Sequence, residues 1–100
     1  VVMDNIAFDP KDVTINRGES VRWINAESGA ISIPHTSTSG DPSDPDPGSL
    51  WNSGTIAPGD SFTQQFDEVG VFEYFCDFHY QMGAMRHATV TVVEGNDQQP

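Results

Sequence analysis

The chain has 100 residues, of which 36% are hydrophobic, a size that suits one small domain with a single core and is too small for two. Fifteen acidic residues against four basic ones give a formal net charge of −11, and a surface of that sign repels nucleic acid and anionic membranes. The charge favours a partner protein with a basic surface, and it is equally explained by solubility or by adaptation to high salt. No apolar run approaches the roughly 20 residues that span a bilayer, and no signal peptide is visible. We therefore expect a mature or excised chain, and the sequence leaves open whether a membrane anchor precedes Val1.

Short alternating segments separated by turns predict strands along most of the chain. β-Branched and aromatic residues recur with period two, which is typical of half-buried strands, and no window shows helical spacing. The predicted strands cover residues 1–3, 6–8, 13–15, 20–25, 30–35, 61–66, 71–76 and 87–93. Seven or eight short strands with frequent turns indicate an all-β sandwich or barrel. We assign residues 1–94 to this domain and residues 95–100 to a polar C-terminal tail.

A proline and then a polar segment interrupt the strand pattern in the middle of the chain. The strand predicted at 30–35 stops donating at Pro34, because proline has no N–H for the ladder, so His35 is expected at a strand end. Residues 36–49 are almost entirely Ser, Thr, Gly, Pro and Asp. A segment without an apolar face predicts a surface loop.

The residues with the richest chemistry lie near the C-terminal end. Cys76, the only cysteine, is followed closely by His79, Met82 and Met85. A soft thiolate, an imidazole and a thioether favour copper, in a trigonal His₂Cys arrangement with a weak axial methionine. The second imidazole is expected from His35, which the fold must bring alongside the loop.

Other interpretations of these residues stay open at this point. A lone cysteine at the end of an aromatic strand is often a buried apolar residue, and zinc also accepts Cys and His, although it more often recruits a second Cys or a carboxylate. A Cys–His hydrolase would need an oriented imidazole and a substrate cleft, and His79 is too close in sequence to Cys76 to offer this easily. The single cysteine excludes an intrachain disulfide, so cysteine pairing does not indicate the cellular compartment.

Several motifs along the chain form a recognisable set. They are Phe8-x-Pro10 with Gly18 and Trp23 downstream, Pro34-His35-Thr36, Gly48-Ser49-Leu50-Trp51, Ala57-Pro58-Gly59-Asp60, and Gly70-x-Phe72-x-Tyr74-Phe75-Cys76-x-x-His79. Together they resemble the plastocyanin/amicyanin-type blue copper proteins, the cupredoxin family. The resemblance implies a Greek-key β-sandwich of about eight strands with one type 1 copper ion (Cu⁺/Cu²⁺), in which His35, Cys76 and His79 are the equatorial ligands. It further implies a one-electron carrier outside the cytoplasm, periplasmic or at the cell surface, and not an enzyme.

The metal loop departs from the family pattern in its spacing. Met82 has the usual two residues between it and His79 but leaves a long connection to the last strand, whereas Met85 lies near that strand at an unusual five-residue spacing. We expect Met85 to be the axial ligand, with Met82 as the alternative, and a one-residue β-bulge to absorb the mismatch. His87 stands where the family has glycine, and we expect an ordinary surface residue. Thr36 replaces the asparagine that often follows the first histidine, which predicts a weaker hydrogen bond between the two ligand loops.

Aromatic and polar residues of the same loop are expected to keep water from the metal site and to form a surface on which partners dock. Phe75 and Phe78 should exclude water from the sulfur. His79 should lie nearest the surface, inside a docking patch formed by Tyr80, Gln81 and Ala84. Ordinary loop packing explains these residues equally well.

Three functions are compatible with the sequence. The leading hypothesis is a soluble, monomeric electron shuttle between larger redox proteins. The alternatives are a copper delivery or storage protein and a copper-binding module of a larger extracytoplasmic protein. Rapid reversible reduction of the bound copper would separate the first from the second.

Overall fold

A computed structural model describes residues 1–29 and 31–95, and eight β-strands in them form two four-stranded sheets. The strands are β1 Val2–Met3, β2 Phe8–Asp9, β3 Asp12–Asn16, β4 Ser20–Asn25, β5 Thr38–Ser39, β6 Ser61–Gln65, β7 Gly70–Phe75 and β8 Ala88–Val93. One sheet has the order β2-β1-β4-β6 and the other the order β3-β8-β7-β5. Both sheets are mixed, because β1 pairs parallel to β4 and β3 pairs parallel to β8. The predicted all-β sandwich of about eight strands is confirmed.

Alternating residues of the central strands fill the space between the sheets. Val21 and Trp23 of β4 are buried, as are Val90 and Val92 of β8. Trp23 meets Tyr74 of β7 nearly at right angles, with ring centroids 5.3 Å apart, an edge-to-face arrangement that aromatic pairs prefer. This packing holds β7 against the core as far as Tyr74, two residues before Cys76.

The strand predicted at residues 30–35 is wrong in the residues that the structure describes there. Ile31 is 77% exposed, and residues 31–34 belong to no strand. Only His35 pairs, in an isolated bridge with Ile56 that has hydrogen bonds in both directions, of 3.1 and 2.8 Å. Pro34 has no backbone N–H to donate to a neighbouring strand, and the Ile31 side chain packs against neither sheet. The alternating segment therefore does not pair as a strand. The bridge alone holds the backbone of His35.

The surface loop predicted at residues 36–49 is wrong in its first part. Residues 36–39 are buried, and β5 pairs antiparallel with the end of β7. Their polar side chains find partners inside the protein. Ser37 accepts a hydrogen bond from the indole N–H of Trp51 at 2.9 Å, and Ser39 accepts bonds from the backbone N–H groups of Leu50 and Trp51. Internal hydrogen bonds of this kind remove most of the cost of burying hydroxyl groups.

The C-terminal boundary follows the last strand. β8 ends at Val93, and residues 96–100 of the predicted tail lie outside the described residues, so the division at residue 94 stays a prediction. Among the described residues, no helix has both the length and the apolar character needed to cross a membrane.

Candidate metal centre

Three candidate ligands meet at one end of the sandwich. Cys76 directly follows β7, His79 lies three residues further on, and His35 stands in the bridge to Ile56. One donor atom from each of Cys76, His79 and His35 lies within 4.8 Å of the others. The structure therefore brings together all three residues that the sequence singled out as equatorial ligands.

The distances between the donor atoms suit a single metal ion. The cysteine Sγ lies 3.8 Å from Nδ1 of His35 and 3.5 Å from Nδ1 of His79. Metal–nitrogen and metal–sulfur bonds of about 2.0 and 2.3 Å, as in zinc sites, would place N and S about 3.7 Å apart in a planar trigonal arrangement. Both imidazoles present the same ring nitrogen to the sulfur. A soft thiolate with two imidazoles is the donor set of a copper electron-transfer site.

The loop that follows Cys76 is built from three successive tight turns. The backbone N–H groups of His79, Met82 and Met85 each donate to the carbonyl three residues earlier, and the N–H of Cys76 donates to the carbonyl of Met85 at 3.0 Å. The last turn is a 3₁₀ helix, Gly83–Met85. Its geometry buries Met85 completely against the core, whereas Met82 is 46% exposed.

The predicted β-bulge is absent from the pairing of the two strands that flank this loop. The β7–β8 register runs without interruption from Gly70 opposite Val92 to Tyr74 opposite Ala88. The residues that lengthen the segment between His79 and β8 are accommodated in the tight turns and at His87. The φ angle of His87, 61°, lies in the left-handed region of backbone conformation. Histidine tolerates this region better than most residues other than glycine, which explains how it can stand at a position where glycine was expected.

Thr36 links the two ligand loops. Its backbone N–H donates to the Cys76 sulfur at 3.4 Å, and its hydroxyl accepts a hydrogen bond from the backbone N–H of Asp77 at 2.8 Å. The hydroxyl groups of Thr36 and Thr38 lie 3.0 Å apart, and Thr38 donates to the Asp77 carboxylate at 3.2 Å. The expected asparagine is thus replaced by a threonine that makes the connection through both its backbone and its side chain.

Glu27 contacts the buried histidine from the side away from the sulfur. Nε2 of His35 lies 2.7 Å from Oε2 of Glu27, and these side chains are only 0% and 6% exposed. The same carboxylate oxygen accepts a hydrogen bond from the backbone N–H of Ile6 at 2.8 Å, and the N–H of Glu27 donates to Oδ1 of Asn25 at 3.0 Å. Glu27 was not among the residues that the sequence singled out. Its position just beyond the inward-facing Asn25 was the only signal, and a turn after a strand is a common place for an acidic residue.

The hydrogen bonds of the site favour its charged forms. Burial raises the pKa of the Cys76 thiol, but hydrogen bonds with His35 and with the backbone N–H of Thr36 outweigh it and lower the pKa. Burial lowers the pKa of His35, and its bonds to Cys76 and Glu27 raise it overall. Burial also raises the pKa of Glu27, which the N–H of Ile6 and the His35 ring then lower. The Cys76 sulfur and the Glu27 carboxylate lie on either side of the His35 ring, an arrangement that suits a cation.

The surface beside the site includes exposed aromatic and thioether side chains. Phe75 is 2% exposed and Cys76 is fully buried, but Phe78 is 51% exposed. Phe78 therefore lies half-exposed at the surface, and its part in excluding water from the sulfur stays a prediction. It lies next to the partly exposed His79, with Tyr80 and Met82 also exposed nearby in the loop. Burial and the neighbouring His35 lower the pKa of His79.

A second group of charged residues lies behind the loop. His87 is 62% exposed, in agreement with the predicted surface position, but its Nδ1 lies 2.6 Å from a carboxylate oxygen of Glu73. Asp41 is close to both, and Arg86 donates to its two oxygens at 2.9 Å each. The guanidinium already neutralises Asp41. The group is therefore an ion-pair network that holds the end of the metal loop against the segment after β5.

A sequence model of one family, described as copper binding proteins of the plastocyanin/azurin family, matches residues 1–93. The chain belongs to this family. It is 34% identical to plastocyanin from Scenedesmus fuscus over 91 residues, which cover 87% of each protein. It is 33% identical over 82 residues to chloroplastic plastocyanin from Tetradesmus obliquus, where the match covers 78% of this chain and 54% of the relative.

Solved structures of cupredoxins share the same fold. A purple cupredoxin from Nitrosopumilus maritimus superposes with a TM-score of 0.71 at 32% identity, over 89% of this chain and 84% of that one. A mutant of amicyanin in its reduced Cu(I) form at pH 4 gives a TM-score of 0.70 at 20% identity, over 93% and 81% of the two chains. Family membership confirms the cupredoxin fold, copper as the cofactor and the blue copper electron carrier that the sequence indicated.

Proposed function

We propose that the chain carries single electrons between redox proteins and is not an enzyme, with His35, Cys76 and His79 as the equatorial ligands of one copper ion. Copper bound there supplies the Cu²⁺/Cu⁺ couple. The observation that supports this most strongly is the convergence of the three donor atoms within 4.8 Å. The donor set matches the trigonal N₂S ligation of copper electron-transfer proteins.

Fixed backbone contacts favour fast electron exchange at this site. The bridge to Ile56 holds His35, and Cys76 stands between β7 and the closing hydrogen bond to Met85. Thr36 connects the two segments and donates to the sulfur. Since His35 and Cys76 are held by partners other than the metal, these two ligands need little movement when the charge of the ion changes, and outer contacts of this kind tune a metal site.

Met85 is the axial ligand in this proposal. Its side chain is completely buried in the same cluster as Cys76, whereas Met82 is 46% exposed. The test is to replace each methionine by leucine. Met85→Leu should change the visible spectrum and the reduction potential, and Met82→Leu should change neither. The reverse result would assign Met82 instead.

Electrons are proposed to enter and leave through the edge of His79. This imidazole is partly exposed while His35 is completely buried. The exposed residues near it in the loop are Phe78, Met82 and the proposed docking patch of Tyr80, Gln81 and Ala84. The net charge of −11 favours a partner with a basic surface around its own redox centre. We further propose that the protein acts as a monomer outside the cytoplasm, in the periplasm or at the cell surface, as its resemblance to plastocyanin and amicyanin suggests.

Titration of the apoprotein with Cu²⁺ tests the metal site. One equivalent should produce an intense visible absorption from the thiolate, and Cys76→Ser should abolish it. His35→Asn and His79→Asn should lose or displace the band. His87→Asn is the matched control, because it removes the one histidine outside the cluster and should leave the band unchanged. A band that survives Cys76→Ser, or one that depends equally on His87, would refute the proposed ligands.

Stopped-flow kinetics test the electron-carrier role. Reduction of the copper-loaded protein by a c-type cytochrome should be fast and reversible, and its rate should fall as salt screens the charges. Slow or irreversible reduction, accompanied by release of the metal, would favour copper delivery instead.

A further inference from the structure

The hydrogen-bonded pair of Glu27 and His35 is buried on both sides. A carboxylate is seldom buried unless it is paired, because the loss of hydration is expensive. Glu27 is fixed at three points: its N–H by Asn25, and its Oε2 by the N–H of Ile6 and by the His35 ring. The ring nitrogen that it contacts is Nε2, and Nδ1 of the same ring faces the Cys76 sulfur. Glu27 therefore acts on the metal site through His35 without reaching the donor atoms.

We propose that Glu27 is a positioning residue of the copper site, which keeps the proton of His35 on Nε2 and stabilises Cu²⁺ relative to Cu⁺ by its negative charge. The inference rests on the proposed ligand role of His35. It assigns to Glu27 a function in setting the reduction potential.

The location of the proton follows from hydrogen-bond chemistry. An ionised carboxylate can only accept, so the contact of 2.7 Å requires a proton on Nε2. A neutral imidazole has one N–H, which leaves the lone pair of Nδ1 free for a metal. The backbone N–H of Ile6 donates to the same carboxylate oxygen, so this oxygen is held in place whether or not a metal is bound.

The charge of Glu27 favours the more positive oxidation state. The carboxylate is separated from the donor nitrogen by the width of one imidazole ring, and both side chains are shielded from water. An unscreened negative charge so close to a metal stabilises Cu²⁺ more than Cu⁺. The structure records no carboxylate hydrogen bond to His79 within residues 1–29 and 31–95, so the two histidines differ in this respect. The buried imidazole is fixed by an anion, and the one at the surface is not.

Glu27→Gln separates the charge from the shape. The glutamine oxygen can still accept from Ile6 and from the ring, but the side chain is neutral. Loss of such an outer carboxylate typically changes metal affinity 10- to 100-fold. We expect the ratio of Cu²⁺ to Cu⁺ affinity to fall by about this factor, which raises the reduction potential by about 59 mV for each factor of ten in a one-electron couple. Cyclic voltammetry measures it.

Glu68→Gln is the matched control. It removes the same charge from an exposed turn before β7, and that strand of six residues separates it from Cys76 by about 20 Å at roughly 3.3 Å per residue. Its effect on the potential should be several-fold smaller. Equal shifts in the two variants, or no shift in Glu27→Gln, would overturn the proposed role of the charge.

The proton position is tested on the apoprotein, so this result does not depend on copper binding. Nitrogen NMR in alkaline buffer should show His35 of the wild type protonated on Nε2, and Glu27→Leu should shift the population towards Nδ1. A wild-type ring protonated on Nδ1, or a tautomer unchanged in Glu27→Leu, would overturn the inference. The wild-type spectrum decides the point even if the leucine variant does not fold. Failure of the wild type to bind copper would refute the proposed function instead, while the tautomer would still report on Glu27.

Discussion

Replacement of Thr36 by valine tests the link between the two ligand loops. The substitution keeps the shape of the side chain and removes a buried hydroxyl that accepts from the N–H of Asp77 at 2.8 Å and lies 3.0 Å from the hydroxyl of Thr38. A hydrogen bond contributes about 0.5–1.5 kcal/mol net, and a buried group left without its partner costs about 1–3 kcal/mol. Since the N–H of Asp77 is only partly buried, leaving it unpaired costs little, and the loss of the two hydrogen bonds should lower the free energy of unfolding by about 1–3 kcal/mol.

Urea unfolding of the apoprotein measures this loss without a contribution from metal binding. Each kcal/mol corresponds to about 4–8 °C in the melting temperature of a domain of this size, so thermal scans provide a second measurement. Thr36→Ser keeps the hydroxyl and should recover most of the stability. Thr14→Val, at an exposed position of β3, controls for the general preference of strands for valine. A loss below about 0.5 kcal/mol in Thr36→Val, or a loss no larger than in Thr36→Ser, would refute the linking role.

Three further predictions concern other buried contacts. Hydrogen bonds from the Arg86 guanidinium and, next in size, from the Ser43 hydroxyl hold the pKa of Asp41 well below its ordinary 3.8. The folded state therefore releases this proton more readily than the unfolded state. The resulting stability is present above about pH 4 and is lost as the pH falls through 3.8 towards the folded pKa. Asp41→Asn should therefore lower the urea midpoint of the apoprotein clearly at pH 7 and clearly less near pH 2, and an equal difference at both pH values would contradict the assignment. Met85→Ala should cost the apoprotein about 2–5 kcal/mol because it leaves a core cavity, whereas Met82→Ala should cost less than about 0.5 kcal/mol; similar losses would mean that Met85 is not part of the core. Tyr74→Phe should cost about 0.5–1.5 kcal/mol, since the hydroxyl donates to a backbone carbonyl at 3.0 Å, and an unchanged urea midpoint would show that this bond does not stabilise the fold.

The sequence predicts the strands and the three equatorial candidates well because both leave strong local signals. Trp23 and Val90 lie in segments that alternate with period two, and one buried face is enough to produce that pattern. Cys76 is the only cysteine, and His79 follows it within one turn. Rare residue types with metal-binding side chains can be identified without knowledge of the strand order.

Contacts between distant polar residues could not be predicted in the same way. Thr36 and Ser37 look like loop residues, yet they can be buried because their hydroxyl and amide groups find partners 14 to 41 positions away. Glu27 is one of 15 acidic residues, and only the folded chain shows which of them meets a histidine. Phe78 shows the converse, since a large aromatic residue next to a ligand is normally expected inside and here forms part of the surface.

The hydrogen bond from Cys76 to the carbonyl of Met85 makes the metal loop a closed hairpin connection between two strands whose pairing already ends at Tyr74 and Ala88. We expect residues inserted or deleted between His79 and Met85 to change the interior of this connection and to leave the register of β7 and β8 unchanged. The sandwich can thus accept ligand spacings of several lengths while the cysteine keeps its place. The length of this segment is therefore open to engineering as a means of adjusting the copper site without redesigning the domain beneath it.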